Sequence, residues 1–258
     1  MSIKVAAPLV LGLLMLGLWE GAVRALAVPP YILPGPILVA ETLVADWSTL
    51  LPSLVVTLEI TLAALAAAVV VGGLLAVLFS LSRWVELSLF PYAIILQVTP
   101  IVAIAPLIIV WANDVDLSLL ICAWLVAFFP ILSNTILGLR SVDPNLISLF
   151  DLYGAGRWRT LLHLRLPAAL PYFLGGLRIS GGLALIGAVV AEFVAGTGGS
   201  ASGLAWRILE SSYQLKIPRM FAALVLVSAT GIAIFLLLTL LSHLALRHWH
   251  ESALTPER

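Results

Sequence analysis

Leu117–Leu139 reads LSLLICAWLVAFFPILSNTILGL, an uncharged run bounded by Asp116 on one side and Arg140 on the other. A helix rises 1.5 Å per residue, so about 20 mainly apolar residues cross the roughly 30 Å hydrocarbon core of a bilayer. This run is long enough to do so. Ile60–Ser82 lies uncharged between Glu59 and Arg83, Leu87–Asn113 between Glu86 and Asp114, and Met220–Ser242 between Arg219 and His243. Each is expected to form one membrane-spanning helix.

The whole chain has the same character. Of its 258 residues 62% are hydrophobic and 10% charged, whereas soluble domains run at roughly half apolar and a quarter charged. That leaves too few charges to wet a surface of this size, and it excludes a disordered chain. Cys122 is the single cysteine, so no intrachain disulfide can form. Net charge is zero, from 13 Lys+Arg and 13 Asp+Glu, which leaves no electrostatic footprint for nucleic acid. The expected fold class is an all-α integral membrane protein.

Two further spans bring the expected number of transmembrane helices to six. Val5–Trp19 is apolar and is followed by Glu20, Arg24 and Pro29-Pro30. Ala25-Leu26-Ala27 resembles a signal-peptide cleavage site, but Glu20 and Arg24 fit poorly just before one, so a retained helix over about 5–26 is the expectation. Ala168–Ala195 is interrupted only by Arg178, which is expected to snorkel towards one end. With the N-terminus inside, Lys4, Arg83, Arg140, Arg157, Arg159, Arg165, Arg247 and Arg258 are cytoplasmic, with Arg178 nearby; Arg24, Arg207, Lys216 and Arg219 are outside. The positive-inside rule favours that orientation, with both termini cytoplasmic.

Between the spans, Leu33-Pro34-Gly35-Pro36 reads as a rigid non-helical turn, followed by a short helix over Ile37–Leu51 with Trp47 as an interfacial anchor. In the inner segment Arg140–Leu166, Asp143-Pro144 signals a helix start, Gly154 and Gly156 interrupt that helix, and Arg157-Trp158-Arg159 follow. This is a helix–turn–helix that either merely carries the positive-inside charge or docks a cytoplasmic partner. Gly196–Gly203 is glycine-rich, but a P-loop needs Gly-Lys-Ser/Thr, and neither Lys4 nor Lys216 follows a glycine. A flexible hinge before a short helix over Leu204–Tyr213 is expected there. His163, His243, His248 and His250 show no metal-ligand spacing, and no serine has His or Asp partners at an interpretable distance.

The candidate translocation path therefore rests on polar and helix-breaking residues at membrane depth: Gln97, Thr99, Pro100, Asn134, Ser180 and Glu192. Such groups face a bundle interior or a water-filled path; the alternative is helix–helix hydrogen bonding, worth about 0.6 kcal/mol on average. Gly17-x-x-x-Gly21, Gly72-Gly73 and Gly181-Gly182 read as close-packing sites.

Gly154-Ala155-Gly156-Arg157-Trp158, then Leu164 and Leu166-Pro167, resemble the signature of ABC importer permeases: Glu-Ala-Ala, three residues, Gly, nine residues, Ile, one residue, Leu-Pro. The Glu-Ala-Ala positions hold Ser148, Leu149 and Phe150 instead. Leu33–Pro36, Thr99-Pro100-Ile101 with Ala105-Pro106-Leu107, and Phe129-Pro130 with Gly138–Pro144 look like the nitrate, sulfonate, taurine, riboflavin and hydroxymethylpyrimidine branch. The resemblance implies a type I importer permease (MetI-like) fold of six spans with a cytoplasmic coupling helix, as one permease domain over 1–258. Its parts would be a first helix about 5–26, a periplasmic segment about 28–52, a core about 53–247 containing a coupling segment about 143–166, and a tail 248–258.

The resemblance also implies the function. Such a chain carries a small solute, here a pyrimidine or thiamine precursor or riboflavin, with sulfonate, taurine or nitrate as the alternative. It sits in the bacterial inner membrane as a pair of permease copies, above two cytoplasmic ABC ATPase subunits and below a periplasmic solute-binding protein. It is not an enzyme and holds no cofactor, because ATP is used by the partner. Its coupling residues would be Gly154, Ala155, Gly156, Arg157, Trp158, Leu164, Leu166 and Pro167. A secondary transporter would instead show paired intramembrane charges or inverted repeats, and a lipid enzyme clustered Asp or His; neither pattern is in the sequence.

Overall fold

A computed structural model describes residues 3–196 and 202–247, with side chains from residue 6 onward, and no strand occurs among them. Helix α1, Ile3–Ala25, covers the first expected span. It ends with Ala27 in the left-handed region (φ 49°), where Val28 N–H bonds to the Val23 carbonyl at 3.0 Å. This is the Schellman arrangement that satisfies the last carbonyls of a helix. Pro36 then opens α2, Pro36–Ala45, at the first helical position, where its missing N–H costs nothing.

The expected helix over Ile37–Leu51 is divided. Asp46 ends α2, its N–H bonding to Thr42, and its carbonyl accepts from Thr49 and Leu50 to start α3, Trp47–Leu81. Trp47 thus begins the long helix instead of closing the short one. Pro52 lies early in α3 and removes only the bond to the carbonyl of Ser48.

The expected single helix over Leu87–Asn113 is also corrected. It is two helices, α4, Arg83–Val98, and α5, Ile101–Ala112, bent by 106°. The cause is Thr99-Pro100: a residue before proline is pushed out of the helical region, and both residues are extended, with ψ of 123° and 116°. Helix α6, Val115–Arg140, is unbroken, and the Asp114 carboxylate caps it by accepting from Leu117 N–H at 2.8 Å.

Asp143 caps α7, Pro144–Leu152, in the same way, through Asn145 N–H at 2.8 Å. Helix α8, Arg157–Thr160, passes through a π-helical turn, Leu161–Arg165, into α9, Leu166–Ala195. The widened turn precedes Pro167, which has no N–H and whose ring would crowd the carbonyl four residues earlier. Leu166 N–H reaches back to Leu161 instead. Two helices remain, α10, Leu204–Tyr213, and α11, Ile217–Leu246.

Five of these stretches are long and apolar enough to cross a membrane, and α4 with α5 makes a sixth when counted as one broken span. Most of the expected hinge, 197–201, and the tail 248–258 with His248 and His250 lie outside the described residues.

The chain forms two units. One comprises Met1–Val56 with Gly196–Ala229. Val39 of α2, Leu50 of α3, Leu204 of α10 and Ala222, Ala223 and Leu226 of α11 form its apolar centre. The Glu20 carboxylate of α1 accepts from Arg24 at 2.6 Å and from Ile37 N–H, in the first turn of α2, at 3.2 Å. Asp46 receives a two-pronged bond from Arg219 at 2.6 and 2.9 Å.

The other unit, Thr57–Ala195 with Thr230–Arg258, is built on α6 against α9. A Cβ on Gly138 would meet Ala169, one on Gly176 would meet the Pro130 carbonyl and Asn134, and one on Gly187 would meet Ala123. Rising positions on α9 meet falling positions on α6, so the two helices run antiparallel. Small residues let two backbones approach closely in lipid, where dispersion and hydrogen bonds must replace hydrophobic burial. Of the expected close-packing glycines, Gly72 packs on Ile131 and Gly181 on Leu238; Gly73 and Gly182 meet no neighbour. Gly17 and Gly21 also meet none among the described residues, since α1 exposes its apolar surface.

Candidate functional site

The residues that carry the motif fall on one exposed turn. After α7 the chain closes a second Schellman motif: Ala155 N–H bonds to the Phe150 carbonyl at 2.9 Å and Gly154 N–H to Asp151 at 3.0 Å. Gly154 supplies the left-handed residue this needs (φ 67°). Gly156 is extended and opens α8. Leu152 and Tyr153 are each 84% exposed and Trp158 64%, so the turn presents an apolar tip flanked by the exposed Arg157 and Arg159. Leu164 in the π-helical turn and Leu166 and Pro167 at the start of α9 are half-buried. Ser148, Leu149 and Phe150 are all on α7, where the Ser148 hydroxyl donates to Pro144.

This turn is tied to the end of α3. Arg165 donates to the Ser80 hydroxyl at 3.1 Å and carbonyl at 3.4 Å. The Glu86 carboxylate on α4 receives Arg140, at the end of α6, at 2.6 Å. Sequence reasoning placed these arginines on the inner face but missed their partners, because Ser80 read there as part of an apolar span and Glu86 as a span boundary.

The bend between α4 and α5 opens on a cavity of about 330 Å³. Gln97 and Thr99 line it together with Leu96, Leu125, Val126 and Pro130, and no charged residue is among the described lining residues. Pro100 and Pro130 cannot donate to the carbonyls four residues earlier, those of Leu96 and Val126, and both of these residues lie in the lining. The cavity thus joins an apolar surface to the polar side chains of Gln97 and Thr99. Leu125, Val126 and Leu183 gave no signal, since in sequence they are indistinguishable from lipid-facing positions.

The other candidate path residues are elsewhere. Asn134 Nδ2 donates to the Pro130 carbonyl at 2.9 Å, and Ser180 Oγ donates to Ala127 at 2.6 Å, joining α9 to α6. Glu192 is 1% exposed and accepts from Thr57 Oγ1 of α3 at 2.7 Å. Gln97 and Thr99 come together at one cavity; Asn134 and Ser180 serve the α6–α9 packing; Glu192 ties α9 to α3.

The spans, the exposed turn and the motif spacing find their match in one family. The family described as the binding-protein-dependent transport system inner membrane component matches residues 68–248. The chain belongs to this family of ABC importer permeases.

The permease is 35% identical over 249 residues to the riboflavin transport system permease protein RibX of Chloroflexus aurantiacus, covering 93% of this chain and 88% of that one. It is 33% identical to the formylaminopyrimidine transport permease protein ThiX of Halalkalibacterium halodurans, over 90% and 91% of the two chains. Identity to the taurine transport system permease protein TauC of Escherichia coli is 30%, over 72% and 70%. The permease is therefore a multi-pass membrane transport subunit, its relatives being transport permeases and not themselves enzymes; its family works with ATPase and solute-binding partners.

Proposed function

We propose that this permease imports a small neutral heteroaromatic solute, a pyrimidine or thiamine precursor or riboflavin, delivered by a periplasmic binding protein. The observation that carries this reading is the uncharged cavity at the α4–α5 bend, with the polar Gln97 and Thr99 among apolar walls. Ring N–H and amino donors would find acceptors there, and the ring faces apolar contact. A sulfonate or nitrate would find no cation in that lining, which makes the taurine-like alternative the second reading. The extent of similarity to RibX and ThiX points the same way.

The Gly154–Pro167 segment is proposed as the coupling element. Its exposed Leu152, Tyr153 and Trp158 would enter a groove of a cytoplasmic ATPase, with Arg157 and Arg159 at the rim. Closure of the ATPase dimer on ATP would move the turn as a rigid body, and α9, which continues from it, would carry that movement to the cavity. The permease needs no cofactor of its own. Two copies would enclose the path in a bacterial inner membrane, with both termini cytoplasmic and the α4–α5 cavity on each wall.

The test is a tagged purification from native membranes in mild detergent, followed by reconstitution. Recovery of a P-loop ATPase whose turnover rises with the binding protein, together with uptake of riboflavin or hydroxymethylpyrimidine but not taurine, supports the proposal. Transport that survives loss of the ATPase overturns the coupling, and preferential taurine uptake overturns the substrate class.

A further inference from the structure

A second cavity, of about 520 Å³, lies between the exposed turn and the α3–α4 junction. Three arginines line it, Arg83 of α4, Arg157 of α8 and Arg165 of the π turn, against one carboxylate among the described lining residues, Asp151. The carboxylate of Glu86 beside Arg83 is already engaged: it holds Arg140 at 2.6 Å and stands 3.7 Å from Arg83. Ser80 adds a hydroxyl, fixed by Arg165. The Arg83 side chain is 73% exposed, and it shares Glu86 with the closer Arg140. Two membrane-crossing stretches, α3 and Arg157–Ala195, pass this groove near their ends, and Trp84 stands beside it 83% exposed. Tryptophan in that setting settles at the headgroup level of a bilayer.

Guanidinium groups lining one groove match phosphate oxygens, which each can grip two at a time. Basic pockets between membrane helices take phospholipid headgroups. We propose that this groove binds the phosphate of an anionic phospholipid, with Trp84 resting at the lipid interface and Arg83, Arg157 and Arg165 around the headgroup. Occupancy would brace the turn against the end of α3, making the stiffness of that turn depend on anionic lipid. The groove shares Arg157 with the proposed ATPase rim, so lipid binding is measured on the permease without its ATPase and its outcome is separate from that of coupling.

The full-length permease in neutral detergent, titrated with phosphatidylglycerol or phosphatidylcholine and read by native mass spectrometry, tests this. Bound phosphatidylglycerol should exceed phosphatidylcholine, and Arg83→Gln with Arg157→Gln should weaken it by about tenfold or more, since each basic group near an anionic headgroup contributes comparably. Arg83→Lys with Arg157→Lys should keep most of the binding and shows that the double site tolerates substitution. The distant, exposed Arg24→Gln should bind as the parent does. Equal retention of the two lipids, or unchanged binding in the double glutamine variant, overturns the proposal. Displacement of phosphatidylglycerol by millimolar inorganic phosphate would reassign the groove to a soluble anion and overturn the lipid part.

Discussion

Gly138 of α6 and Ala169 of α9 meet backbone to backbone: a Cβ at position 138 would lie 2.7 Å from Ala169 Cα. No side chain fits between the helices there. Gly176, with a Cβ 2.7 Å from the Pro130 carbonyl, and Gly187, 2.9 Å from Ala123 Cα, repeat the relationship along the pair. The Ser180–Ala127 hydrogen bond lies between them. This seam is what fixes α9, and with it the exposed turn and the cavity wall, against α6.

Gly138→Val is accordingly expected to destabilise the permease by about 1–3 kcal/mol, the usual cost of overpacking a tight interface. Gly182→Ala, where a Cβ would meet no neighbour, should leave stability unchanged. Thermal unfolding in detergent, followed by tryptophan fluorescence, compares the two. A Gly138→Val protein as stable as the parent would refute the close approach of α6 and α9.

The Thr57–Glu192 bond gives a second expectation. Thr57→Val keeps the shape but removes a donor to a carboxylate that is 1% exposed, and loss of one such donor costs about 1–3 kcal/mol. Glu192→Gln keeps an acceptor oxygen for Thr57 and should be milder than Glu192→Ala. Unfolding midpoints measured across this series check the order; equal midpoints would show that the bond contributes nothing.

At the bend, cysteine chemistry reads access. In a Cys122→Ser background, which removes the single buried thiol, Gln97→Cys and Thr99→Cys should react with a water-soluble maleimide, and solute should slow both. Ser180→Cys, buried in the helix seam, should resist labelling. A labelled position 180 or inert positions 97 and 99 would move the path elsewhere. Pro100→Ala should lower transport, because the 106° break depends on Thr99 being held out of the helical region.

The exposed turn gives the fourth expectation. Gly154→Val places a branched side chain at φ 67°, at a cost of roughly 1–2 kcal/mol for a left-handed L-residue. The helices on either side should persist, since a Cβ at 154 has no neighbour to strike. Solute-stimulated ATP hydrolysis by the assembled importer should fall several-fold while the variant still inserts and purifies. Full stimulation would remove Gly154 from the coupling element.

Much of this was legible in the sequence because it is local. Uninterrupted apolar runs located the spans, since the bilayer makes length and charge decisive. Asp143-Pro144 announced a helix start, and glycine at 154 the left-handed turn, because capping and φ are settled within a few residues. Thr99-Pro100 was visible as well, yet its result was misjudged: a proline in an apolar run can kink a helix slightly or divide it. Which happens depends on whether neighbouring helices leave room for two extended residues. Trp47 was misplaced for a similar reason, since Asp46 serves as both the end of one helix and the start of the next.

The sequence by itself determined that the chain lives in a membrane, where its long apolar stretches run, and where the motif-bearing turn lies. Those follow from apolar runs, charge placement and residue conformation, each set over a few turns. Only the tertiary structure decided which polar residues share a site. In sequence Asn134, Ser180 and Glu192 are polar residues at membrane depth just as Gln97 and Thr99 are; in the fold Asn134 bonds within α6, Ser180 bonds α9 to α6, and Glu192 accepts from Thr57. The Ser180 and Glu192 pairings join residues 53 and 135 positions apart, and no local pattern encodes them. They depend on two backbones coming close enough to touch, which small residues permit and only packing fulfils.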